Sequence, residues 1–209
     1  MAGMTDKRSP SVAATRARIL DAAIELVETE GVGAATTKRI AAAARVSEGS
    51  LYNHFADKPE LLITLVLERL PGIREVFGKL YGAGGAPAAA RLVAALVALI
   101  DFYTHAHAIV AGVTADPALL KMTRQRFAET GQGPHLAHEK LAEFLSLEQK
   151  AGRIRAGVRP EIAAALLIGA CTEFASLRQM TGKTPGNLKK TAYANAVIEG
   201  IAPMLFPGK

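Results

Sequence analysis

Residues 36–55 read TTKRIAAAARVSEGSLYNHF, and this stretch predicts two short helices joined by a tight turn. Thr36 and Ser47 each stand where a helix begins, and their hydroxyls can accept hydrogen bonds from the free backbone N–H groups of a first turn. Arg45 lies in the turn between the predicted helix over residues 37–44 and the helix that Ser47 caps. This is the helix-turn-helix layout, whose second helix enters the major groove of DNA.

The second of these helices has two unlike faces. Val46, Leu51 and Phe55 are spaced to lie on one side and pack inward. The other side carries small or polar residues, which are Ser47, Glu48, Gly49, Ser50, Asn53 and His54. Small outward side chains let a helix lie deep in a major groove about 12 Å wide, where Ser and Asn can reach base edges. Donors suited to phosphate oxygens surround this face, namely Thr37, Lys38, Tyr52, His54 and Lys58.

One longer helix is predicted before this motif and another after it. From Thr15 to Glu30 the apolar residues recur at helical spacing, and Gly31 suits the position that follows a helix end. Asp57 can cap the fourth helix, with Glu60 three residues later completing a capping box. Pro71 is expected to kink or end that helix, because proline has no N–H to continue it.

The remainder of the chain is also helical in pattern. The segment YGAGGAP, residues 81–87, is a break, and helical periodicity returns over residues 88–112, 117–129, 135–151, 160–181 and 188–205. No stretch shows the sustained alternation of a strand. We therefore expect an all-α protein with a tail over residues 1–10, a three-helix helix-turn-helix DNA-binding domain over 11–58, and a larger helical-bundle domain for ligand binding and dimerisation over 59–209.

Composition and charge set limits on the function. Half of the residues are hydrophobic, which is ample material for a core. The net charge is +6, but residues 1–60 hold eight basic and eight acidic residues, so any case for DNA binding there rests on placement. The longest apolar run, residues 92–100, is far shorter than the ~20 residues of a membrane span. No signal peptide is visible, and we expect a cytoplasmic protein without membrane contact.

Residues 15–62 resemble the N-terminal domain of TetR-type (tetracycline-repressor-like) transcriptional regulators, with TT opening the second helix, VSEGSLYNHF as the recognition helix, and DKPELL after it. The resemblance implies a DNA-binding domain, a helical effector domain, and homodimeric binding to a palindromic double-stranded DNA operator. Carried over by position, it implies base contacts by Lys38, Glu48, Gly49, Ser50 and Asn53. It implies phosphate contacts by Thr37, Tyr52, His54 and Lys58.

Two positions depart from the family pattern. Arg45 stands where a glycine is usual in the turn, and a left-handed conformation there would cost about 1 kcal/mol relative to glycine. Glu48 stands where a basic or neutral residue is common. Its carboxylate could accept from a cytosine amino group, or it could merely favour the helix start electrostatically.

The helical segment RPEIAAALLIGACTEFASL, residues 159–177, is apolar nearly all the way round between residues 162 and 171. A helix without a polar face must be covered on two sides. The last helix, over residues 191–205, has a similarly wide apolar surface. We assign both helices to a homodimer interface that includes Leu166, Leu167, Ala170, Tyr193, Val197 and Ile201; a thick monomeric core is the alternative.

A ligand pocket is expected among the middle helices, where a bound ligand would change the spacing of the two recognition helices and release DNA. The candidates are Phe102, Tyr103, His105, His107, Met122, Phe127, Phe144, Cys171, Phe174 and Met180. Such a set favours a small, mainly apolar effector, although the same residues could be plain core.

Signals for catalysis or metal binding are weak. His105 and His107 point about 200° apart on a helix, and His135 and His138 share a face without an evident third ligand. Cys171 lies among apolar residues, where a thiol behaves as a small hydrophobe. We expect no enzymatic activity, cofactor or metal; the alternative function is a helical interaction module or an enzyme without DNA binding.

Overall fold

A computed structural model describes residues 11–70, 73–82 and 85–208 of the chain. Within these ranges every regular element is a helix, so the all-α prediction is confirmed. The α-helices are α1 (Val12–Ala34), α2 (Thr37–Ala43), α3 (Glu48–Tyr52), α4 (Lys58–Glu68), α5 (Ile73–Tyr81), α6 (Ala88–Ala115), α7 (Pro117–Thr130), α8 (His135–Lys150), α9 (Pro160–Thr181) and α10 (Lys190–Leu205). A 3₁₀ turn, Pro185–Asn187, precedes α10. The predicted tail over residues 1–10 and the predicted kink at Pro71 lie outside the described residues.

The predicted helix ends agree with the structure to within a few residues, with two differences. α1 is longer than expected at both ends, although its regular geometry breaks at the predicted Gly31, where φ is 84°. α5 was not predicted at all. Its apolar residues Val76 and Leu80 are buried in the core, so it is an integral helix and not a connection.

Of the described residues, the first compact unit contains 11–69 together with Ala108–Thr123. Its core is formed by Ile19, Leu20, Ala23, Val27, Ile40, Leu51, Phe55, Leu61 and Leu65, all of them buried. The members from α1 recur at intervals of three and four residues, which places them on one face of that helix. Arg16 also joins α1 to α4, because its guanidinium donates two hydrogen bonds to the Glu68 carboxylate at 2.5 and 2.9 Å.

In the same unit, α6 approaches α1 very closely at Gly112. A Cβ atom placed on Gly112 would lie 2.4 Å from the Cβ of Val32, a distance that real side chains do not reach. The Val32 carbonyl oxygen in turn accepts a hydrogen bond of 2.7 Å from the Lys58 ammonium. Val32 therefore packs closely against the backbone of α6 at Gly112, and its carbonyl is bonded to Lys58, the first residue of α4.

The second unit contains the described residues of Leu70–His107 and of the chain from Arg124 to residue 208. A charged group lies inside it: Glu148 is 3% exposed, and its carboxylate accepts from Arg91 at 2.7 Å and from Arg153 at 2.6 and 2.9 Å. The Arg91 guanidinium lies 4.8 Å from the centroid of the Phe144 ring. Glu148 thus links α6, α8 and the turn that follows α8.

Two helices, α6 and α9, are long and apolar enough to cross a membrane by length and composition alone, a criterion that core helices of soluble proteins also meet. The longest uninterrupted apolar run ends at Asp101 and is shorter than a membrane span, whereas α6 continues past that residue. Asp101 is paired with Lys190 of α10 at 2.7 and 2.5 Å. Leu92, Leu96 and the neighbouring apolar residues of α6 are buried in the core of the second unit.

Candidate nucleic-acid interface

The turn between α2 and α3 is built as the capping residues predict. The Thr36 hydroxyl accepts from the N–H of Arg39 at 3.3 Å, and the Ser47 hydroxyl accepts from the N–H of Ser50 at 3.0 Å. Arg45 has φ of 55°, so the left-handed conformation considered for this position is present without a glycine. Two side-chain caps therefore set where the two short helices begin, and one residue in a strained conformation forms the turn between them.

The inward face of α3 anchors it to the first unit. Leu51 and Phe55 are 0% and 1% exposed and belong to the same core as Ile40. Val46, which was also expected to face inward, is only partly buried. Anchoring by two large side chains leaves the opposite side of this short helix to solvent.

The outward face of α3 carries small or polar side chains, as the sequence predicts. Glu48, Gly49 and Asn53 are exposed, and Ser50 and His54 are partly exposed. A Cβ atom on Gly49 would meet only the Ser47 hydroxyl, at 4.0 Å, so the fold itself leaves room for a larger side chain there. The absence of a side chain at Gly49 instead leaves space on the outer side of the helix, where a binding partner would approach.

Three of the predicted DNA-contact residues lie within hydrogen-bond distance of one another, which the sequence did not indicate. The Thr37 hydroxyl donates to Glu48 Oε1 at 2.7 Å, and the Tyr52 hydroxyl lies 3.4 Å from the Thr37 oxygen. These residues come from the first turns of α2 and α3 and from the end of α3. No periodicity or spacing rule predicts a bond across the turn between particular side chains.

Lys58 is also less free than the sequence suggests. One N–H of its ammonium donates to the Val32 carbonyl, and burial lowers the pKa of this lysine while Asp116 acts in the opposite direction. An ammonium has three donors, so two remain after this bond. Asp57 caps α4 by accepting from the N–H of Glu60 at 2.8 Å, which holds Lys58 in the first turn.

The cations near the interface differ in their partners. Arg39 donates to both oxygens of Glu30, at 2.8 and 2.6 Å, and to the Ala34 carbonyl. Lys38 is exposed, and within the described part of the chain no hydrogen bond or ion pair involves it. Among the described residues, Lys38 is thus the cation of α2 whose ammonium has no partner within the protein.

The ligand-pocket candidates belong to several environments. Phe102, Phe144, Cys171 and Phe174 are buried, Tyr103, His107 and Phe127 are partly buried, and His105, Met122 and Met180 are exposed. Tyr103 packs edge-on against Phe102 with ring centroids 5.2 Å apart, and burial raises the pKa of Tyr103 to about 12. Burial likewise raises the pKa of the Cys171 thiol to about 12, and its sulfur lies 3.8 Å from the Leu96 carbonyl.

A separate surface groove of about 400 Å³ lies in the second unit between α8 and the start of α9, and none of the pocket candidates lines it. Its walls include His138, Glu139, Glu143 and Glu161. Within the described residues no group of three or more His, Cys, Asp or Glu is arranged to hold a metal ion.

The dimer candidates also differ in exposure. Leu166 is 59% exposed, whereas Leu167 is fully buried within its own unit. The other candidates are partly buried; they are Ala170, Tyr193, Val197 and Ile201. On α10 the exposed residues without a polar side chain are Ala192, Ala196, Gly200, Pro203 and Met204, none of which was among the predicted interface residues. On α9 the exposed apolar residues are Ile162, Ala165, Leu166 and Gly169 in its first half and Met180 near its end.

A family model described as "Bacterial regulatory proteins, tetR family" matches residues 19–65. The chain is 39% identical over 66 residues to the HTH-type transcriptional regulator SrpR of Pseudomonas putida, a match covering 32% of this chain and 31% of SrpR. It is 35% identical over 65 residues to the HTH-type transcriptional regulator UidR of Escherichia coli K12, covering 31% of this chain and 33% of UidR. The matched region thus spans about a third of each of these relatives.

Solved structures resemble the fold over nearly the whole chain. NalD of Pseudomonas aeruginosa, the secondary repressor of the MexAB-OprM multidrug efflux pump, superposes with a TM-score of 0.66 at 21% identity, covering 93% of this chain and 98% of NalD. A TetR family transcriptional regulator from Pseudomonas syringae pv. tomato DC3000 gives a TM-score of 0.66 at 22% identity, covering 98% and 100%. At these identities the likeness is one of fold.

Proposed function

We propose that the chain is a DNA-binding regulator of the TetR family and that it acts as a repressor; the family model over residues 19–65 and the likeness of fold support this proposal. In this proposal a homodimer binds a palindromic double-stranded operator in the cytoplasm and leaves it when a small, mainly apolar ligand binds. The chain acts by binding and carries out no catalytic step.

The outward face of α3 is the observation that carries the proposal. Its exposed residues are small or polar, and Gly49 keeps the middle of the face low. Such a face suits a major groove, where side chains must approach base edges within hydrogen-bond distance. Lys38 and the two remaining donors of Lys58 are suited to phosphates beside that groove.

A single short recognition helix contacts few base pairs, so specific binding requires a second copy. Two recognition helices about 34–36 Å apart meet successive major grooves on one side of the duplex. The exposed apolar strips of α9 and α10 support a second copy as the partner, because both lie within one unit and both are rich in small residues. Small residues let helices approach closely, and Leu166 and Met204 supply apolar area.

The ligand site of this proposal lies in the second unit around Tyr103. Phe102, Cys171 and Phe174 provide an apolar surrounding, and the Tyr103 hydroxyl offers one polar group. A complete release of DNA requires the ligand to prefer the non-binding conformation by about 10⁴-fold.

DNA binding is tested with a duplex that the protein selects from a randomised pool, compared with a scrambled duplex by fluorescence anisotropy. We expect Lys58→Ala to weaken binding to the selected duplex by about tenfold and to reduce the slope of log affinity against log salt by about 1, because one phosphate contact is lost. Thermal denaturation of the variant checks that the loss of the Val32 bond has not unfolded it.

Lys140→Ala is the matched control, since it also removes one lysine charge but lies on α8 in the second unit. Its affinity and salt slope should equal those of the unchanged protein. Equal, weak binding of the unchanged protein to selected and scrambled duplexes would refute the proposal and leave a helical interaction module as the better interpretation.

The dimer is tested by sedimentation velocity, with a chain mass of 22.0 kDa as the monomer reference. Leu166→Glu places a carboxylate on the proposed interface, twice in a symmetric dimer, and we expect at least tenfold weaker association. Leu147→Glu introduces the same side chain at a 47% exposed leucine of α8, and this variant should remain dimeric. Equal association of the two variants would place the interface elsewhere.

A further inference from the structure

Glu48 is an acidic residue at the start of the helix that is proposed to enter the groove, and its carboxylate is held in place. The Thr37 hydroxyl donates to Oε1 at 2.7 Å, from the first residue of α2 to the first residue of α3. The Tyr52 hydroxyl lies 3.4 Å from the Thr37 oxygen on the same side. One carboxylate oxygen therefore has a partner inside the protein, while the side chain as a whole is exposed.

A carboxylate at this place is unfavourable for general DNA affinity, because it repels phosphates. It also cannot donate a hydrogen bond, since an ionised Glu is an acceptor only. Within the described residues, Oε2 of Glu48 accepts no hydrogen bond. The structure thus presents a fixed acceptor, oriented by Thr37, on the face that meets the bases.

The four bases respond differently to an acceptor in the major groove. Guanine offers two acceptors there, and thymine offers an acceptor and a methyl group. Adenine has a donor at N6, but its N7 acceptor lies beside it and would repel a carboxylate. Cytosine presents only the N4 amino donor. The single base whose edge complements Glu48 is therefore cytosine.

We propose that Glu48 reads a cytosine N4 amino group at one position of each operator half-site, and that Thr37 is the residue that positions it. This inference rests on the proposed function, because it assigns one base of the operator. With any other base at that position, the carboxylate enters the groove without a donor for Oε2, and binding is weakened.

The test is selection from a randomised duplex pool by the unchanged protein and by the variants Glu48→Gln, Thr37→Val and Thr37→Ser. The unchanged protein should select cytosine at one position of each half-site, by about tenfold over the other bases. Glu48→Gln should move that preference to adenine, because a carboxamide pairs with N6 and N7 together. Every other position of the selected sequence should stay the same.

Thr37→Val keeps the shape of the side chain but removes its hydroxyl, so the cytosine preference should fall severalfold without moving to another base. Thr37→Ser keeps the hydroxyl and should retain the preference. If Thr37→Val instead weakens binding to all sequences alike, Thr37 contacts a phosphate and its positioning role is refuted. Circular dichroism melting of each variant verifies that it is folded.

Failure of the inference and failure of the proposed function give different results. If the unchanged protein selects no sequence, the operator-binding function itself is wrong, and the inference falls with it. If it selects a sequence and Glu48→Gln selects the same one, only the reading of cytosine by Glu48 is overturned.

Discussion

Replacing Glu148 with alanine is expected to lower the free energy of unfolding by about 3 kcal/mol, because it leaves the Arg91 guanidinium inside the protein without its counter-charge. The Arg91 side chain is 20% exposed, and its Nε already has no hydrogen-bond partner among the described residues. Urea unfolding followed by circular dichroism at neutral pH measures the change. The same substitution also frees Arg153, which is 55% exposed and can be solvated at little cost.

The matched control is Glu143→Ala on the same helix. Glu143 is 51% exposed and paired with Lys140 at 2.8 Å, and exposed pairs of this kind contribute about 0–1 kcal/mol. A loss at Glu148 no larger than the loss at Glu143 would contradict the structural role assigned to the buried carboxylate.

The effect of Glu148 should also depend on pH. Hydrogen bonds from Arg153 and then from Arg91 hold the pKa of Glu148 below its usual value in the folded protein, although burial acts in the opposite direction. A carboxyl whose folded-state pKa is lowered stabilises the fold above its unfolded-state pKa, and this contribution is lost as the pH falls through the folded-state value. The difference in stability between the unchanged protein and Glu148→Ala should therefore narrow in acid.

Gly112→Ala should lower the free energy of unfolding by about 2 kcal/mol, because its Cβ would overlap Val32 and force α6 away from α1. The nearest atom is the Cβ of a branched side chain, which cannot rotate out of the way. Gly78→Ala is the control: Gly78 lies inside α5 with no atom within 4 Å of a Cβ, so alanine there should stabilise by up to about 1 kcal/mol through helix propensity.

A second substitution separates overlap from other effects. The double variant Val32→Ala, Gly112→Ala should lose less stability than the sum of the two single losses, because alanine at position 32 removes the Cγ2 and Cγ1 atoms at 2.7 and 3.3 Å, although its Cβ remains. Losses that simply add in the double variant would show that Gly112 and Val32 do not interact as described.

Much of the first unit could be predicted from local sequence, because capping residues act on their own neighbours. Thr36, Ser47 and Asp57 each cap the helix that the sequence assigned to them. α5 was missed although its apolar residues Ile73, Val76, Phe77 and Leu80 recur at helical spacing, because the segment is short and lies between Pro71 and a glycine-rich break, a context that also fits a connection. Local signals identify a helix with a clear start more readily than a short helix that only packing stabilises.

Contacts across elements could not be predicted in the same way. The bond between Thr37 and Glu48 depends on how two helices meet, and sequence spacing does not encode that distance. The wide apolar surface of α9 also does not indicate which side of the helix faces the core and which side is exposed. Leu166 and Leu167 look alike in sequence, yet one is 59% exposed and the other is fully buried, since neighbouring residues lie about 100° apart around a helix.

Because Cys171 is buried, the reactivity of its thiol reports how often the second unit opens. It is the single cysteine of the chain, its side chain is inaccessible, and its thiol has a pKa of about 12. The thiolate is the nucleophile that attacks thiol reagents, so modification at neutral pH requires the surrounding helices to separate first. The labelling rate therefore measures how often the second unit opens, and a cysteine introduced on the surface can carry a dye while Cys171 stays unlabelled.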